Sequence, residues 1–282
     1  MREINVSEVE NEIAKMCISI NHDLSQDMKD ALDLAKKKEK SPIGQKVLGQ
    51  LEENLSIAKE EMIPICQDTG MAVIFLEIGQ DVHFIGGNLE DAVNNGVKKG
   101  YTEGFLRKSV VGDPIERVNT KDNTPAVIHY SIAPGENVKI TLAPKGFGSE
   151  NMSQVFMLKP AQGIEGVKES ILKAVKDAGP NACPPMVVGV GIGGTFEKAA
   201  IMAKEALTDP VGKADKNKPK WVLDLEEEML EKINSTGIGP AGLGGSTTAL
   251  CVNVHTYPTH IAGLPVAVNI CCHVNRHIKV TI

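Results

Sequence analysis

Residues 64–70 read Pro-Ile-Cys-Gln-Asp-Thr-Gly. A thiol, an amide and a carboxylate in succession, bounded by proline and glycine, fit neither the 3.6-residue period of an amphipathic helix nor the alternation of a half-buried strand. The segment is therefore a turn. Before it the chain has helical periodicity with a charged surface, and after it residues 71–78 form a largely apolar strand. A polar turn at the mouth of a buried strand is where an α/β protein places its chemistry, and the remaining sequence is read as the scaffold for it.

Upstream, Val9, Ile13, Met16 and Ile20 share one face of a helix expected over residues 7–20, opened by a capping box from Ser7 to Glu10. Cys17 lies beside that face and reads as a packed cysteine. A second helix is expected over residues 27–38. A third starts at Ser41-Pro42, a cap followed by proline at the first helical position, with Ile43, Val47, Leu51 and Leu55 as its stripe. Downstream, strands at 82–85, 126–133, 138–143, 186–190, 249–254 and 266–272 alternate with helices at 88–100, 163–177, 195–207 and 221–234. Pro134-Gly135 predicts a hairpin between the second and third of those strands. The lysine-rich stretch 213–220 is too short to separate domains, and no repeat is present. The reading is a single α/β domain over 1–282: a helical lead-in (1–60) packed on mixed strand–helix units.

Three glycine-rich stretches invite nucleotide readings. Gly189, Gly191 and Gly194 satisfy G-x-G-x-x-G, but the second strand with its terminal acidic residue does not follow, so a dinucleotide site is rejected. Those glycines are read instead as letting the backbone pass close to whatever Cys183 holds. Residues 242–248 lack the lysine of a phosphate-binding loop. Lys145-Gly146-Phe147-Gly148-Ser149 precedes an apolar segment, 152–158, read as helical; its glycines either offer N–H groups to an anion or simply make a tight turn.

A formal charge of −6, a pI near 5.7 and 4% aromatic residues exclude a nucleic-acid platform and a binder of anionic membranes. The charged N-terminal residues and the lack of a spanning apolar run predict a cytoplasmic protein. The six cysteines are then reduced, and Cys251 reads as a core-strand residue. Cys66, Cys183 and one of Cys271 and Cys272 stand at strand or loop ends, with neither the close pair of a zinc knuckle nor ferredoxin spacing. Three dispersed thiols suit an iron–sulfur cluster with one iron left open as a Lewis acid.

Four ordered motifs carry a resemblance over nearly the whole chain: the 64–70 turn, Lys145-Gly-x-Gly-Ser149, Asn181-Ala-Cys183-Pro-Pro185, and His260-Ile-Ala-Gly-Leu-Pro-Val-Ala-Val-Asn269 running on to Cys272-His273. Together they resemble the α subunit of the two-subunit class I fumarases and the related L-tartrate dehydratases. The resemblance implies a 4Fe-4S cluster on Cys66, Cys183 and Cys272, with Cys271 standing where the family usually has glutamine. It implies that Gln67 and Asp68 face the substrate hydroxyl or water, that Arg107 (or Arg117) grips a carboxylate, that His260 lies near the substrate carboxylate, and that Gly146 and Gly148 offer backbone donors. The implied reaction is reversible hydration of fumarate to (S)-malate, with a β subunit supplying the proton-transfer group and a higher oligomer as the working form. Tartrate or another hydroxy-dicarboxylate is the alternative substrate. A non-catalytic iron–sulfur sensor or carrier, and a nucleotide-binding module, are the rival classes.

Overall fold

The computed structural model describes residues 1–282. In chain order the elements are β1 (Arg2–Asn5), α1 (Val6–His22), α2 (Gln26–Lys38), α3 (Pro42–Glu61), β2 (Met71–Gly79), β3 (Val82–Ile85), α4 (Leu89–Glu103), β4 (Val127–Ala133), β5 (Val138–Lys145), α5 (Phe147–Glu150), β6 (Gln154–Leu158), α6 (Gly163–Ala178), β7 (Met186–Gly193), α7 (Phe196–Ala206), α8 (Lys220–Asn234), β8 (Ala249–Tyr257), β9 (Leu264–Cys271) and β10 (Ile278–Thr281). They divide into two compact units. Unit 1 comprises Met1–Ser25, Leu55–Phe147 and Arg276–Ile282; unit 2 comprises Gln26–Asn54 and Gly148–Asn275.

Unit 1 is built on a mixed sheet of order β10-β5-β2-β4. Ile74 and Leu76 of β2 and Ile140 and Leu142 of β5 are fully buried against Val9, Ile13 and Met16 of α1 and Val93 and Val97 of α4. Burying side chains of this size stabilises by roughly 1.5–3 kcal/mol each. Helix α1 starts one residue ahead of the expected capping box. Asn5 is its cap, with extended backbone and a side chain accepting from Ser7 N–H at 3.0 Å, because pairing of β1 with β3 holds residues 2–5 extended.

The hairpin expected at Pro134-Gly135 does not form. β2 lies between the two strands, parallel to β4 and antiparallel to β5. The connection passes round the end of β2, where Gly79 N–H donates to Asn137 O and Gln80 N–H to Ala133 O. With Ala72, Val73 and Ile74 all buried, β2 is the most apolar strand of this sheet and takes a central place.

Unit 2 holds a second mixed sheet, β6-β9-β7-β8. Every residue of β7 is buried. On one face Val188 and Val190 pack with Ile171 and Ala174 of α6 and with Leu225 and Met229 of α8; on the other lies α7, whose Ala199 and Ala203 cluster with Ala267. Gly189 and Gly191 are inside β7, which runs on to Gly193 rather than ending at Val190. A Cβ at either would overlap a carbonyl oxygen of α7, that of Ala203 or Ala199. These two glycines thus admit a helix rather than a group held by Cys183.

Residues 152–158, expected as helix, contain β6 instead. Phe156 and Leu158 pack on the core, while Val155 and Met157 are exposed, the alternation of an edge strand. Only the four-residue turn α5 precedes it, so the 145–151 stretch does not open a long helix. The loop 237–248 is held by Glu39. This buried carboxylate accepts from the N–H of Ser41 (2.8 Å) and from both the N–H (2.8 Å) and the hydroxyl (3.0 Å) of Ser246.

Candidate functional site

Unit 1 presents the 64–70 turn at the start of β2, and its own side chains and its neighbours define it. Ile65 N–H donates to Asn21 O at 2.9 Å. Asp68 N–H approaches Cys66 Sγ at 3.4 Å, while the Asp68 carboxylate accepts from Gly70 N–H at 3.0 Å and from Phe147 N–H at 2.9 Å. Two backbone donors on one carboxylate fix its direction. The far side of the turn is tied down as well. The buried hydroxyl of Tyr101 donates to Thr69 O (2.7 Å) and Gly70 O (3.0 Å), and Asn123 Nδ2 donates to Gly70 O (3.1 Å). Burial raises the Tyr101 hydroxyl well above its ordinary value, so it remains a proton donor.

The neighbours of this turn include several residues singled out in the sequence. Gly146 follows β5, and a Cβ placed there would come 3.1 Å from Asp68 Oδ2. The carbonyl of Arg107 accepts from Thr69 Oγ1 at 3.1 Å, which fixes the Arg107 backbone beside the turn while its side chain stays exposed. Arg117 sits in a separate exposed turn, its N–H donating to Asp113 O at 2.9 Å. Gln67 is exposed. Three residues that the sequence did not assign complete the surroundings: Asn21, already met through its carbonyl, and two cations. Lys145, buried, donates to Gly146 O at 3.2 Å; Arg276, buried, donates to Asp68 O at 2.9 Å and to Asn21 Oδ1 at 2.7 Å. In the sequence Lys145 only opens the 145–149 motif and Arg276 only follows Cys272 and His273, and neither signals its burial.

In unit 2, Cys183 is exposed and left-handed at φ 51°. A residue other than glycine in that region is strained, and such strain collects at functional positions. Its carbonyl accepts from His273 twice, from N–H at 3.3 Å and from Nδ1 at 2.9 Å, so Nδ1 carries the proton. This places Cys272, which precedes His273, beside the Cys183 loop. Cys271 pairs with Val187 across the sheet and is buried, whereas Cys272 is partly exposed.

His260 lies elsewhere in this unit. It is exposed on the loop entering β9, where Thr259 Oγ1 donates to Gly194 O at 2.9 Å and His260 Nδ1 accepts from Ala262 N–H at 3.1 Å. Cys272 leaves the opposite end of β9, so eight strand residues, roughly 25 Å, separate the two. His260 instead lines an apolar cavity of about 640 Å³ with Ile164, Trp221 and Leu264. Gly148 is also in unit 2 and exposed, with Asn181 O the nearest group to an added Cβ, at 3.8 Å.

The six thiols fall into two chemical classes. Cys17, Cys251 and Cys271 are buried, and burial pushes the thiols of Cys17 and Cys251 up to about 12, far from the thiolate that binds metal. Cys66, Cys183 and Cys272 are at least partly open to solvent. No three His, Cys, Asp or Glu side chains are gathered closely enough for a single bare ion. In a cluster each thiolate binds a different iron, so its donors need not meet at one point. As a donor set the three accessible thiols fit such a group, and the buried three do not.

Across residues 10–281 the sequence matches the family model described as fumarate hydratase (Fumerase). The chain belongs to this family. Among its relatives is a Methanocaldococcus jannaschii protein, provisionally named L(+)-tartrate dehydratase subunit alpha, 43% identical over 259 residues that cover 90% of each chain. The L(+)-tartrate dehydratase alpha subunits of Escherichia coli K12 and Shigella sonnei are each 30% identical over 268 residues, covering 94% of this chain and 87% of theirs. No helix of this fumarate hydratase family member is long and apolar enough to cross a membrane.

Proposed function

We propose that this chain is the α subunit of an iron–sulfur-dependent hydro-lyase that adds water to, or removes it from, a four-carbon dicarboxylate. The observation that carries the reading is the 64–70 turn, where an accessible thiol and an oriented carboxylate are two residues apart and the carboxylate is held by two backbone N–H donors. Cys66, Cys183 and Cys272 would hold a 4Fe-4S cluster, which supplies a Lewis-acidic iron for the substrate oxygen. Asp68 offers an acceptor to the substrate hydroxyl or to water, and Gln67, exposed beside it, can donate or accept there. Arg107 suits one substrate carboxylate, which gathers charge as the adjacent C–H bond breaks. Gly146 leaves the space in front of Asp68 open; Gly148 is a second candidate backbone donor.

His260 takes part only if another copy of the chain delivers it, because within one chain the length of β9 keeps it from Cys272. The working form is therefore a higher oligomer that also contains a β subunit, the source of the proton-transfer group. Fumarate and (S)-malate are the pair implied by the family; the names of the relatives favour L(+)-tartrate.

The test is anaerobic reconstitution with iron and sulfide of wild type and of Cys66→Ser, Cys183→Ser, Cys271→Ser and Cys272→Ser, followed by assay with the β subunit on fumarate, (S)-malate and L-tartrate. Loss of iron in the first, second and fourth variants with retention in Cys271→Ser, and turnover of one of these acids, is the expected result. A wild type that takes up no cluster, or a loaded complex inactive on all three, would sink the proposal.

A further inference from the structure

Arg276 is 2% exposed, yet its guanidinium makes no direct bond to a carboxylate. Its two hydrogen bonds go to neutral oxygens, from Nη1 to Asn21 Oδ1 at 2.7 Å and from Nη2 to the Asp68 carbonyl at 2.9 Å, and its Nε has no partner at all. A guanidinium does not give up its proton, so this is a full positive charge taken out of water with no ion pair in direct contact, the Asp68 carboxylate standing near it across the Gly146 position. Folds retain such a charge where something anionic completes it. The group it touches is the 64–70 turn: Nη2 holds the peptide that follows Gln67-Asp68, two residues from the Cys66 thiol, and a Cβ at Gly146 would lie 3.7 Å from Nη2 on the side that Asp68 Oδ2 faces. Asn21 backs the arrangement from α1, since its own carbonyl accepts from Ile65 N–H at the start of the same turn and its Nδ2 donates to Cys17 O at 2.8 Å.

We propose that Arg276 is a positioning residue of the hydro-lyase site: it anchors the 64–70 turn through Asp68 O, and its charge, in direct contact with neutral oxygens only, makes that turn favour anions, namely the cluster's thiolate and the substrate's charged oxygens. The inference rests on the hydro-lyase reading above. Anchor and charge are separable by substitution. Arg276→Gln removes both, Arg276→Lys keeps the charge but cannot span both Asn21 and Asp68, and Asn21→Asp keeps the guanidinium and its hold on Asp68 while neutralising it.

Full-length wild type and the three variants are compared without oxygen. In the unloaded chain, hydrogen exchange at residues 64–70 is expected to be at least tenfold faster in Arg276→Gln and unchanged in Asn21→Asp. After reconstitution, the cluster's midpoint potential should fall in Arg276→Gln and Asn21→Asp and stay close to wild type in Arg276→Lys, since potential follows local charge. With the β subunit, kcat should drop at least tenfold in Arg276→Gln with KM altered less than threefold. Wild-type exchange in Arg276→Gln would overturn the anchoring role. Equal potentials in all four proteins, or Lys and Gln variants shifted alike, would overturn the electrostatic one. If Arg276→Gln does not fold, Asn21→Asp and Arg276→Lys still decide the charge effect. A wild type that neither loads nor turns over refutes the parent reading; a loaded, active wild type with unaffected variants refutes this inference alone.

Discussion

Replacing Glu39 by glutamine tests whether a single buried carboxylate holds the 237–248 loop. Burial acts to raise its pKa, but hydrogen bonds from the N–H groups of Ser246 and Ser41 and from the hydroxyls of Thr247 and Ser246 outweigh burial and lower it from 4.5 to about 2. A depression of that size corresponds to about 3 kcal/mol of stability at neutral pH. The sign follows from the direction. The carboxylate's contribution is complete above 4.5, its value in the unfolded chain, and is lost as pH falls toward 2; at pH 3 about 1.4 kcal/mol of it survives. Glu39→Gln keeps the shape, loses the charge and turns an amide donor toward groups that themselves donate. Urea unfolding of the iron-free chain, followed by fluorescence of Trp221, the sole tryptophan and a member of the same unit, should show the variant about 3 kcal/mol less stable at pH 7, with the gap narrowed by about 2 kcal/mol at pH 3. A gap of the same size at both pH values, or one below about 1 kcal/mol at pH 7, would refute the reasoning.

Three further outcomes are expected. In the unloaded chain at pH 8, iodoacetamide should modify Cys66, Cys183 and Cys272 and spare Cys17, Cys251 and Cys271 until denaturant is added, as read by peptide mass spectrometry. Gly191→Ala, which drives a methyl group into the Ala199 carbonyl, should cost about 3 kcal/mol or more and yield little folded protein by circular dichroism. Tyr101→Phe should cost about 1–2 kcal/mol in denaturant unfolding, because Thr69 O loses its donor while Gly70 O keeps Asn123.

Local chemistry was readable from the sequence, and contacts distant in sequence were not. The order Cys66-Gln67-Asp68-Thr69-Gly70 fits no regular element, and it folds as a turn closed by its own aspartate. Most helices follow from their apolar period, and α3 starts at Pro42 as its cap predicts. Residues 154–158 misled because five apolar-rich residues after a glycine stretch satisfy helix and edge strand equally, and pairing with β9 decides. The supposed hairpin failed for a related reason: a proline–glycine turn says that the chain reverses, not that the strands on either side of it pair. Arg276 was legible only as a residue near Cys272, since its partners Asn21 and Asp68 are more than 200 positions away. The separation of His260 from Cys272 had a local clue, the strand between them, although a shared motif suggested a shared place.

Unit 1 is assembled from three stretches of chain, the last being Arg276–Ile282. Translation runs from the N-terminus, so all of unit 2 leaves the ribosome before this last stretch does. Until then β5 lacks its β10 neighbour, and a bare strand edge is exposed to nascent neighbours and chaperones. The cysteine turn is thus among the earlier segments of the molecule to be synthesised and the last to receive its cation.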